Sequence, residues 1–324
     1  MRIALPAVID PAAVAAHDPA AAISDFGGET MGTRWHVRAV LPAGVTVAAV
    51  EAAIVARLDG IVGEMSHWSP TSRLSRFNRA GAAEWITLPP DFAHVVARGL
   101  AIAAATDGAF DPTIGRLVDL WGFGPHPVAA PPTGVEVSTM RAAAGWRRLA
   151  YTPGDRRLRQ PGGLALDLSG IAKGFAVDAV AAVLARLGVV HALVEIGGEL
   201  VGRGLRPDGE PWWVDLEAPP GCDLAPLRIA LHGLAVATSG DYRRGAHTID
   251  PRTGHPVTNG IVSASVIHAD ALSADAWATA LTVLGPGEGV ALAMTNGIAG
   301  RIVTLTAGVT QEYLTPALEA MLSD

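Results

Sequence analysis

Residues 227–238 read LRIALHGLAVAT, and residues 261–267 read IVSASVI. The first stretch predicts two strands, Leu227–Leu231 and Leu234–Thr238, which only two residues separate, and the second stretch predicts another strand. Strands in such hairpin-like succession, with few helices between them, favour antiparallel pairing. The chain is therefore predicted to have an α+β fold, in which antiparallel or mixed sheets are flanked by helices.

Further strands are predicted on both sides of this stretch. In Thr33–Leu41, the apolar residues Trp35, Val37 and Ala39 alternate with charged or polar residues, which is the pattern of a half-buried strand. The other predicted strands are Leu164–Leu168, Val189–Ile196, Trp212–Glu217 and Arg301–Leu305.

Helices are predicted where apolar residues recur every three or four positions. The first follows Thr46, which is suited to an N-cap. Its apolar positions are Val47, Val50, Ile54, Leu58, Ile61 and Met65. The other predicted helices are Pro89–Thr106, Lys173–Leu187 and Leu272–Leu284.

The domain organisation is predicted from length and local composition. A chain of 324 residues has room for one large domain or two closely packed ones. Residues 1–25 belong to an Ala/Pro-rich stretch and are expected to form an extended lead-in, whereas residues 26–324 are expected to form one domain of two intimately packed halves. Residues 122–139 are rich in proline and glycine and are expected to form a surface excursion.

Composition excludes several classes of protein. Half of the residues are hydrophobic and 17% are charged, so a sizeable core is available. The net charge is −7 and the chain has no dense Lys/Arg run, which argues against a nucleic-acid partner because phosphate neutralisation needs clustered cations. The only cysteine, Cys222, rules out an internal disulfide and a zinc site built from several cysteines.

The first residues bear on location. The apolar run Met1–Ile9 is interrupted by Pro6 and followed by Asp10, so it is too short for the apolar core of a signal peptide. No cysteine near the start could carry a lipid, and no run of about 18 apolar residues predicts a transmembrane segment. As written, the sequence predicts a cytoplasmic protein, and a differently assigned start would allow a periplasmic one.

Two glycine-rich loops are candidates for ligand binding. Gly108–Gly115 and Asp167–Gly174 each join regular elements, and glycine lets the backbone approach a ligand closely. Exposed carbonyls and N–H groups before a helix suit a metal or an anion, and Lys173 adds a cation. The first loop fits a helix C-cap and turn equally well, and Lys173 also fits a solvated surface lysine.

The helix after residue 270 carries a candidate metal site. Asp275 and Thr279 are four residues apart and therefore share one helical face, among small apolar neighbours. A carboxylate and a hydroxyl supply the hard oxygen ligands that Mg²⁺ prefers. The alternative is that Thr279 bonds back to a helix carbonyl while Asp275 points to water.

A polar loop supplies a candidate base. His247 precedes the predicted turn Asp250–Gly254, and imidazole is the side chain best suited to take a proton near neutral pH. A histidine in a loop is also commonly just solvated. Glu195–Glu199 is a Gly-Gly turn flanked by acids, which fits an ordinary strand turn as well.

Taken together and in this order, these segments resemble the FAD:protein FMN transferase (ApbE) family, from about residue 26 to residue 320. The segments that carry the resemblance are TMGT (30–33), MS (65–66) with SRFN (75–78), GAFDPTIGRLVDLWGFGP (108–125), LDLSGIAKGFAVD (166–178), VEIGGEL (194–200), ATSGDYR (237–243), HTIDPRTGHPV (247–257) and ADAWATAL (274–281).

The resemblance implies an activity and a set of site residues. Members of this family cleave the pyrophosphate of FAD with Mg²⁺ and attach FMN through a phosphoester to a Ser or Thr of an acceptor flavoprotein, releasing AMP. Matched segment by segment, the metal ligands fall on Asp275, Thr279 and the backbone carbonyl of Gly170, and the catalytic histidine falls on His247. The FAD contacts fall on Met31, Trp68, Ala109, Phe110, Asp111 and Lys173.

The sequence departs from the family at a few positions. Many relatives have alanine where this chain has Gly170, a change that a carbonyl ligand is expected to tolerate. Only five residues separate Asp241 from His247, so the loop that shapes the acceptor site is expected to differ. Two other activities fit the same residues: an Mg²⁺-dependent FAD pyrophosphatase, in which water replaces the protein hydroxyl, and a non-catalytic FAD carrier, which needs neither base nor metal.

Overall fold

The largest sheet is antiparallel, as predicted, but it contains only the second of the two strands in residues 227–238; the first belongs to another sheet, so the two do not form a hairpin. The structure is a computed structural model that describes residues 1–240, 245 and 247–323. Within these residues, eight strands form the sheet, and every neighbouring pair is antiparallel. In spatial order they are β16 (Val309–Leu314), β15 (Ala299–Thr306), β14 (Ile261–His268), β11 (Leu234–Ser239), β8 (Glu199–Arg203), β7 (His191–Ile196), β3 (Thr33–Val40) and β2 (Ile23–Thr30). The α+β fold class is therefore confirmed.

Smaller sheets accompany the large one in the described part of the chain. One consists of β17 (Leu322–Ser323), β1 (Arg2–Ala4), β10 (Leu227–Leu231) and β9 (Trp212–Leu216). Another consists of β4 (Trp85–Thr87), β6 (Arg157–Arg159) and β5 (Ala150–Thr152). A short hairpin joins β12 (Ile249–Asp250) and β13 (His255–Pro256).

Helices cover one face of the large sheet. The helices of the described residues are α1 (Pro11–Ala15), α2 (Val47–Met65), α3 (Arg73–Arg79), α4 (Pro90–Ala105), α5 (Gly115–Leu120), α6 (Gly134–Ala143), α7 (Ala172–Arg186), α8 (Ala271–Thr295) and α9 (Pro316–Glu319). Helix α7 packs on β7 and β8, α8 packs on β11 and β14, and the two helices pack on each other. Among the described residues, no helix combines the length and apolar composition needed to cross a membrane.

Apolar cores lie on both faces of the large sheet. Along β11, Ala235 and Ala237 belong to the main core beneath the helices, whereas Val236 points to the other face, because successive strand residues alternate. On that face Val236 packs with residues of the four-stranded sheet, including Trp212 and Ile229. Burial of both faces explains why the central strands β11 and β14 carry no Asp, Glu, Lys or Arg.

The first residues of the chain are part of the fold, contrary to the expected lead-in over residues 1–25. Strand β1 pairs in parallel with β10, and Ala4 is fully buried. The guanidinium of Arg2 donates to both carboxylate oxygens of Glu312, at 2.6 and 2.7 Å. A three-residue strand that depends on partners more than 200 residues away has no local sequence signal.

Two further predictions need correction. The excursion over residues 122–139 overlaps helix α6, which a capping box between Thr133 and Glu136 begins. Helix α8 continues past the predicted end at Leu284, but with a break: Gly285 has φ 78° and ψ 176°, and Pro286 follows it. The first part of α8 therefore ends where it was predicted to end, and a second helical part continues from the kink.

The amphipathic pattern of α2 is confirmed with one exception. Val50, Ile54, Leu58, Ile61 and Met65 are all buried in the main core, while Val47, in the first turn, is half exposed. Helices α4 and α7 begin and end within about one residue of their predicted bounds.

Candidate functional site

The segment before α7 is held by side chains and by the backbone of a neighbouring loop rather than by a sheet. Leu164–Leu168 was predicted to be a strand, which is wrong: within it the structure has one isolated bridge, between Ala165 and Ile114. Asn78 takes the place of a neighbouring strand, since its Oδ1 accepts the N–H of Leu166 at 2.8 Å and its Nδ2 donates to the carbonyl at 2.9 Å. These bonds fix the loop that leads into the first turn of α7.

Gly170 and Thr279 meet where this loop approaches α8. A Cβ atom placed on Gly170 would lie 2.9 Å from Thr279 Oγ1 and 3.5 Å from the Phe110 ring. The back-bonding expected as the alternative for Thr279 is made instead by Thr282, whose hydroxyl donates to the carbonyl of Ala278 at 2.9 Å. The loop backbone therefore lies against the hydroxyl predicted to share its metal ion.

Asp275 is buried on the same side of α8, not turned toward water. Its side chain is 5% exposed, and its Oδ2 accepts the backbone N–H of Gly174 at 3.0 Å. A Cβ on Gly174 would lie 2.1 Å from the carbonyl oxygen of Ala271, so only glycine allows α7 and α8 to approach this closely. Burial raises the pKa of the Asp275 carboxyl, and the nearby charge of Lys173 opposes this shift.

Lys173 is paired with a buried acid. Its Nζ donates a hydrogen bond to Oε1 of Glu199, the first residue of β8. The Glu199 side chain is 2% exposed and that of Lys173 is 25% exposed. Lys173 is thus anchored at the site, and the expectation of a freely solvated lysine is wrong.

The loop Ala109–Phe110–Asp111 is buried and touches the site through the Phe110 ring. Oδ1 of Asp111 accepts the N–H of Thr113 at 2.8 Å and its hydroxyl at 2.6 Å, and Oδ2 accepts the N–H of Trp146 at 3.0 Å. Burial raises the pKa of the Asp111 carboxyl above its usual value, although these hydrogen bonds oppose the rise. In this structure Asp111 holds the loop in shape.

Trp68 lies at a cavity beside the site. The cavity has a volume of about 530 Å³, and its walls include Trp68, His67, Arg116 and Asp167. The Trp68 side chain is 62% exposed, and its ring packs at a tilt on that of His67. Asp167 belongs to the segment that leads to Gly170, so the cavity lined by Trp68 extends to the start of that loop.

Met31 occupies the tight turn between β2 and β3. Met31 and Gly32 have φ values of 50° and 70°, which is the geometry of a two-residue hairpin turn. The turn lies beside the Gly-Gly turn that precedes Glu199, because a Cβ on Gly197 would lie 2.9 Å from Thr33 Cγ2. Met31 therefore lies near the site through Thr33, which approaches Gly197, two residues before Glu199.

His247 begins the segment that forms the β12–β13 hairpin. It is half-buried, and its Nδ1 lies 2.8 Å from the carbonyl oxygen of Gly245. Further along the hairpin, Val257 packs against Ala109 and against Val283 of α8. This end of the hairpin therefore packs against the loop of Ala109 and against α8, and both of them carry other candidate residues. Asp241–Arg244 and Ala246 lie outside the described residues, as does most of the loop expected to shape the acceptor site.

Close approaches and a charge interaction bring half of the ten predicted site residues into one group. The group consists of Gly170, Thr279, Asp275, Lys173 and Phe110. Sequence reasoning missed the roles of two acids: the buried Glu199, noted only as part of a Gly-Gly turn, and the partly buried Asp178, noted only as the last residue of a family segment. Their function depends on partners that are distant in sequence.

The chain is similar to known proteins over almost its entire length. The model of the ApbE family matches residues 31–302. The FAD:protein FMN transferase of Vibrio cholerae is 35% identical over 311 residues, covering 92% of each protein, and that of Klebsiella pneumoniae is 33% identical, covering 94% of this chain and 91% of the relative. The crystal structure of the Pseudomonas stutzeri flavinyl transferase ApbE, in its apo form, superposes with a TM-score of 0.88 at 37% identity, covering 94% of this chain and 98% of that one. On this similarity, the chain belongs to the ApbE family.

Proposed function

We propose that this protein is an Mg²⁺-dependent FAD:protein FMN transferase. Its relatives carry that name, and their similarity spans more than 90% of the chain. The observation that carries the proposal is the approach of the Gly170 backbone to the Thr279 hydroxyl, one helical turn from the buried carboxylate of Asp275. On this proposal, two oxygen donors on one face of α8 and one in the loop beside it would hold the same metal ion.

The chemistry of these donors fits Mg²⁺. Mg²⁺ prefers oxygen ligands, uses few from the protein, and completes its shell with water and substrate phosphates. Among the described residues, no group of three or more His, Cys, Asp and Glu side chains could hold a metal by itself. A site of one carboxylate, one hydroxyl and one carbonyl matches a metal that is completed by the FAD pyrophosphate. When bound, the ion would neutralise charge that develops on the phosphate oxygens.

The other residues of the site have separate roles in the proposed reaction. Lys173 would place its ammonium against the pyrophosphate, while Trp68 and Phe110 would contact the flavin dinucleotide. The acceptor oxygen would form a bond to the FMN phosphorus as the bond to AMP breaks, and the hydroxyl proton would go to His247. Because a carbonyl oxygen only accepts hydrogen bonds, the contact with Gly245 requires the proton at Nδ1, so in the neutral ring Nε2 would be the nitrogen that takes the proton.

An experiment with and without acceptor separates this activity from its alternatives. The purified protein is incubated with FAD and MgCl₂, together with candidate acceptor flavoproteins, and the acceptors are examined by mass spectrometry. The proposal expects an FMN-sized adduct on a Ser or Thr and one equivalent of AMP, both absent without MgCl₂. Free FMN and AMP formed whether or not an acceptor is present would instead indicate a pyrophosphatase. FAD binding with no product would indicate a carrier.

A further inference from the structure

We propose that Glu199 is a positioning residue that holds the Lys173 ammonium toward the FAD pyrophosphate and away from Asp275. The inference rests on the proposed function, because it names the group that orients a substrate-binding cation. It assigns a role to a buried acid that the reaction described above does not use.

The position of Glu199 in the sheet aims its side chain at the site. Glu199 pairs with Ile196 across the β7–β8 turn, so the two side chains lie on the same face. Ile196 and Val201 belong to the main core, which places this face beneath the helices. Helix α7 packs on both strands, and its second residue is Lys173.

The two carboxylate oxygens of Glu199 have different surroundings. Oε1 accepts the hydrogen bond from Lys173, whereas Oε2 is buried and has no hydrogen-bond partner among the described residues. Burying a carboxylate is unfavourable, and one left half-satisfied calls for an explanation beyond packing. A side chain that is 98% shielded from solvent yet bonded to one cation is suited to fix the position of that cation.

The ammonium of Lys173 needs a defined position because Glu199 and Asp275 both attract it. Its ammonium ends a flexible four-carbon chain and carries three N–H donors. Burial raises the pKa of both Glu199 and Asp275, and the charge of Lys173 opposes the shift at each of them. If Glu199 did not hold the ammonium, it could pair with Asp275 and compete with a metal ion for that carboxylate. Glu199 thus keeps Asp275 available as a ligand.

The test measures equilibrium binding rather than turnover. FAD binding to wild type and to Glu199→Gln is followed by flavin fluorescence as MgCl₂ is varied. Glutamine preserves size but not charge, so Glu199→Gln is expected to raise the half-saturating Mg²⁺ concentration about tenfold, as the loss of a supporting partner at a metal site typically does. Removing the competing ammonium should cancel this effect, so in a Lys173→Met background the added Glu199→Gln change should not alter the Mg²⁺ requirement further.

Glu195→Gln is the matched control. Glu195 flanks the same turn but pairs with Leu200, so its side chain lies on the opposite face of the sheet. Its substitution should leave the Mg²⁺ requirement at the wild-type value.

Two results would overturn the role of Glu199: a wild-type Mg²⁺ requirement in Glu199→Gln, or an equal increase with and without Lys173. The second would indicate a general structural effect. Neither result bears on FMN transfer by the wild type, which is measured separately, and absence of that transfer would refute the proposed function alone.

Discussion

The carboxylate of Asp178 on α7 accepts the backbone N–H of Leu272 in the first turn of α8, at 2.9 Å. Its other oxygen accepts the N–H of Ala271 at 3.0 Å. A helix leaves its first N–H groups without partners, so an acid from a neighbouring helix both satisfies them and complements the helix dipole. This contact fixes α8 relative to α7, and these two helices carry Asp275 and Lys173.

Replacing Asp178 by alanine should loosen this junction. Two N–H groups would lose their partner, and we expect the free energy of unfolding to fall by about 1–2 kcal/mol, as for the loss of a helix cap. Urea unfolding measures the change. Glu51→Ala, at an exposed position of α2, is the control and should change stability little. A wild-type stability for Asp178→Ala would show that the contact contributes nothing.

The same carboxyl should make stability depend on pH. Burial raises the pKa of Asp178 from 3.8 to about 6. Between these values the folded state holds the proton more tightly than the unfolded state does, so stability falls as the pH rises through this window and levels off above it. The resulting decrease in the free energy of unfolding is at most about 3 kcal/mol.

Asp178→Asn cannot titrate at this position. The stability of wild type minus that of Asp178→Asn should therefore decrease from pH 4 to pH 6, as measured by urea unfolding in steps of pH. A difference that rises over the same range would contradict the raised pKa.

Gly170→Ala tests the contact between the loop and α8. The new Cβ would lie 2.9 Å from Thr279 Oγ1, which is too close, so the hydroxyl must move away from the carbonyl ligand. The substitution leaves the backbone carbonyl of residue 170 in place, but it displaces the second proposed ligand. We therefore expect the Mg²⁺ concentration for half-maximal FMN transfer to rise several-fold. The double variant Gly170→Ala/Thr279→Ser removes the threonine methyl and should recover part of the loss. An unchanged Mg²⁺ requirement in Gly170→Ala would place the two residues further apart than described.

Asp275→Ala should abolish transfer and, with it, the response to Mg²⁺. The variant loses the one carboxylate of the proposed metal site. Product formation at increasing MgCl₂ is the measurement. Thr282→Val, three residues beyond Thr279 on α8, is a control because its hydroxyl only bonds back to the helix. Retained Mg²⁺-stimulated transfer in Asp275→Ala would remove this residue from the metal site.

His247→Ala should abolish transfer while leaving FAD binding intact, since the imidazole is proposed to take a proton and not to hold the dinucleotide. General bases typically contribute about 10²–10⁴-fold in rate. Adduct formation and flavin fluorescence report the two properties separately. His255→Ala, at an exposed position of the β12–β13 hairpin, is the control. Equal transfer rates in His247→Ala and wild type would show that another group acts as the base.

Local patterns predicted the four longest helices and seven of the strands of the described residues. The alternation in Thr33–Leu41 and the three-to-four-residue repeat in α2 each reflect which face is buried, so they are visible without knowledge of the partner. The failures arose where backbone partners come from elsewhere. Strand β1 exists because it pairs with β10, and Leu164–Leu168 is not a strand because side chains such as Asn78 and loop backbone take the bonds that a neighbouring strand would make.

The sequence by itself determined the longest helices, the strands with clear alternation, the shared face of Asp275 and Thr279, and the order of segments typical of one family. Helical spacing, strand alternation and residue identity are all local properties. Only the tertiary structure decided that Gly170 meets Thr279, that Gly174 lets two helices touch, that Glu199 binds Lys173, and that Asp178 caps α8. These relationships join residues roughly 25 to 110 positions apart. They depend on how α7 and α8 pack on the sheet, which no local pattern encodes.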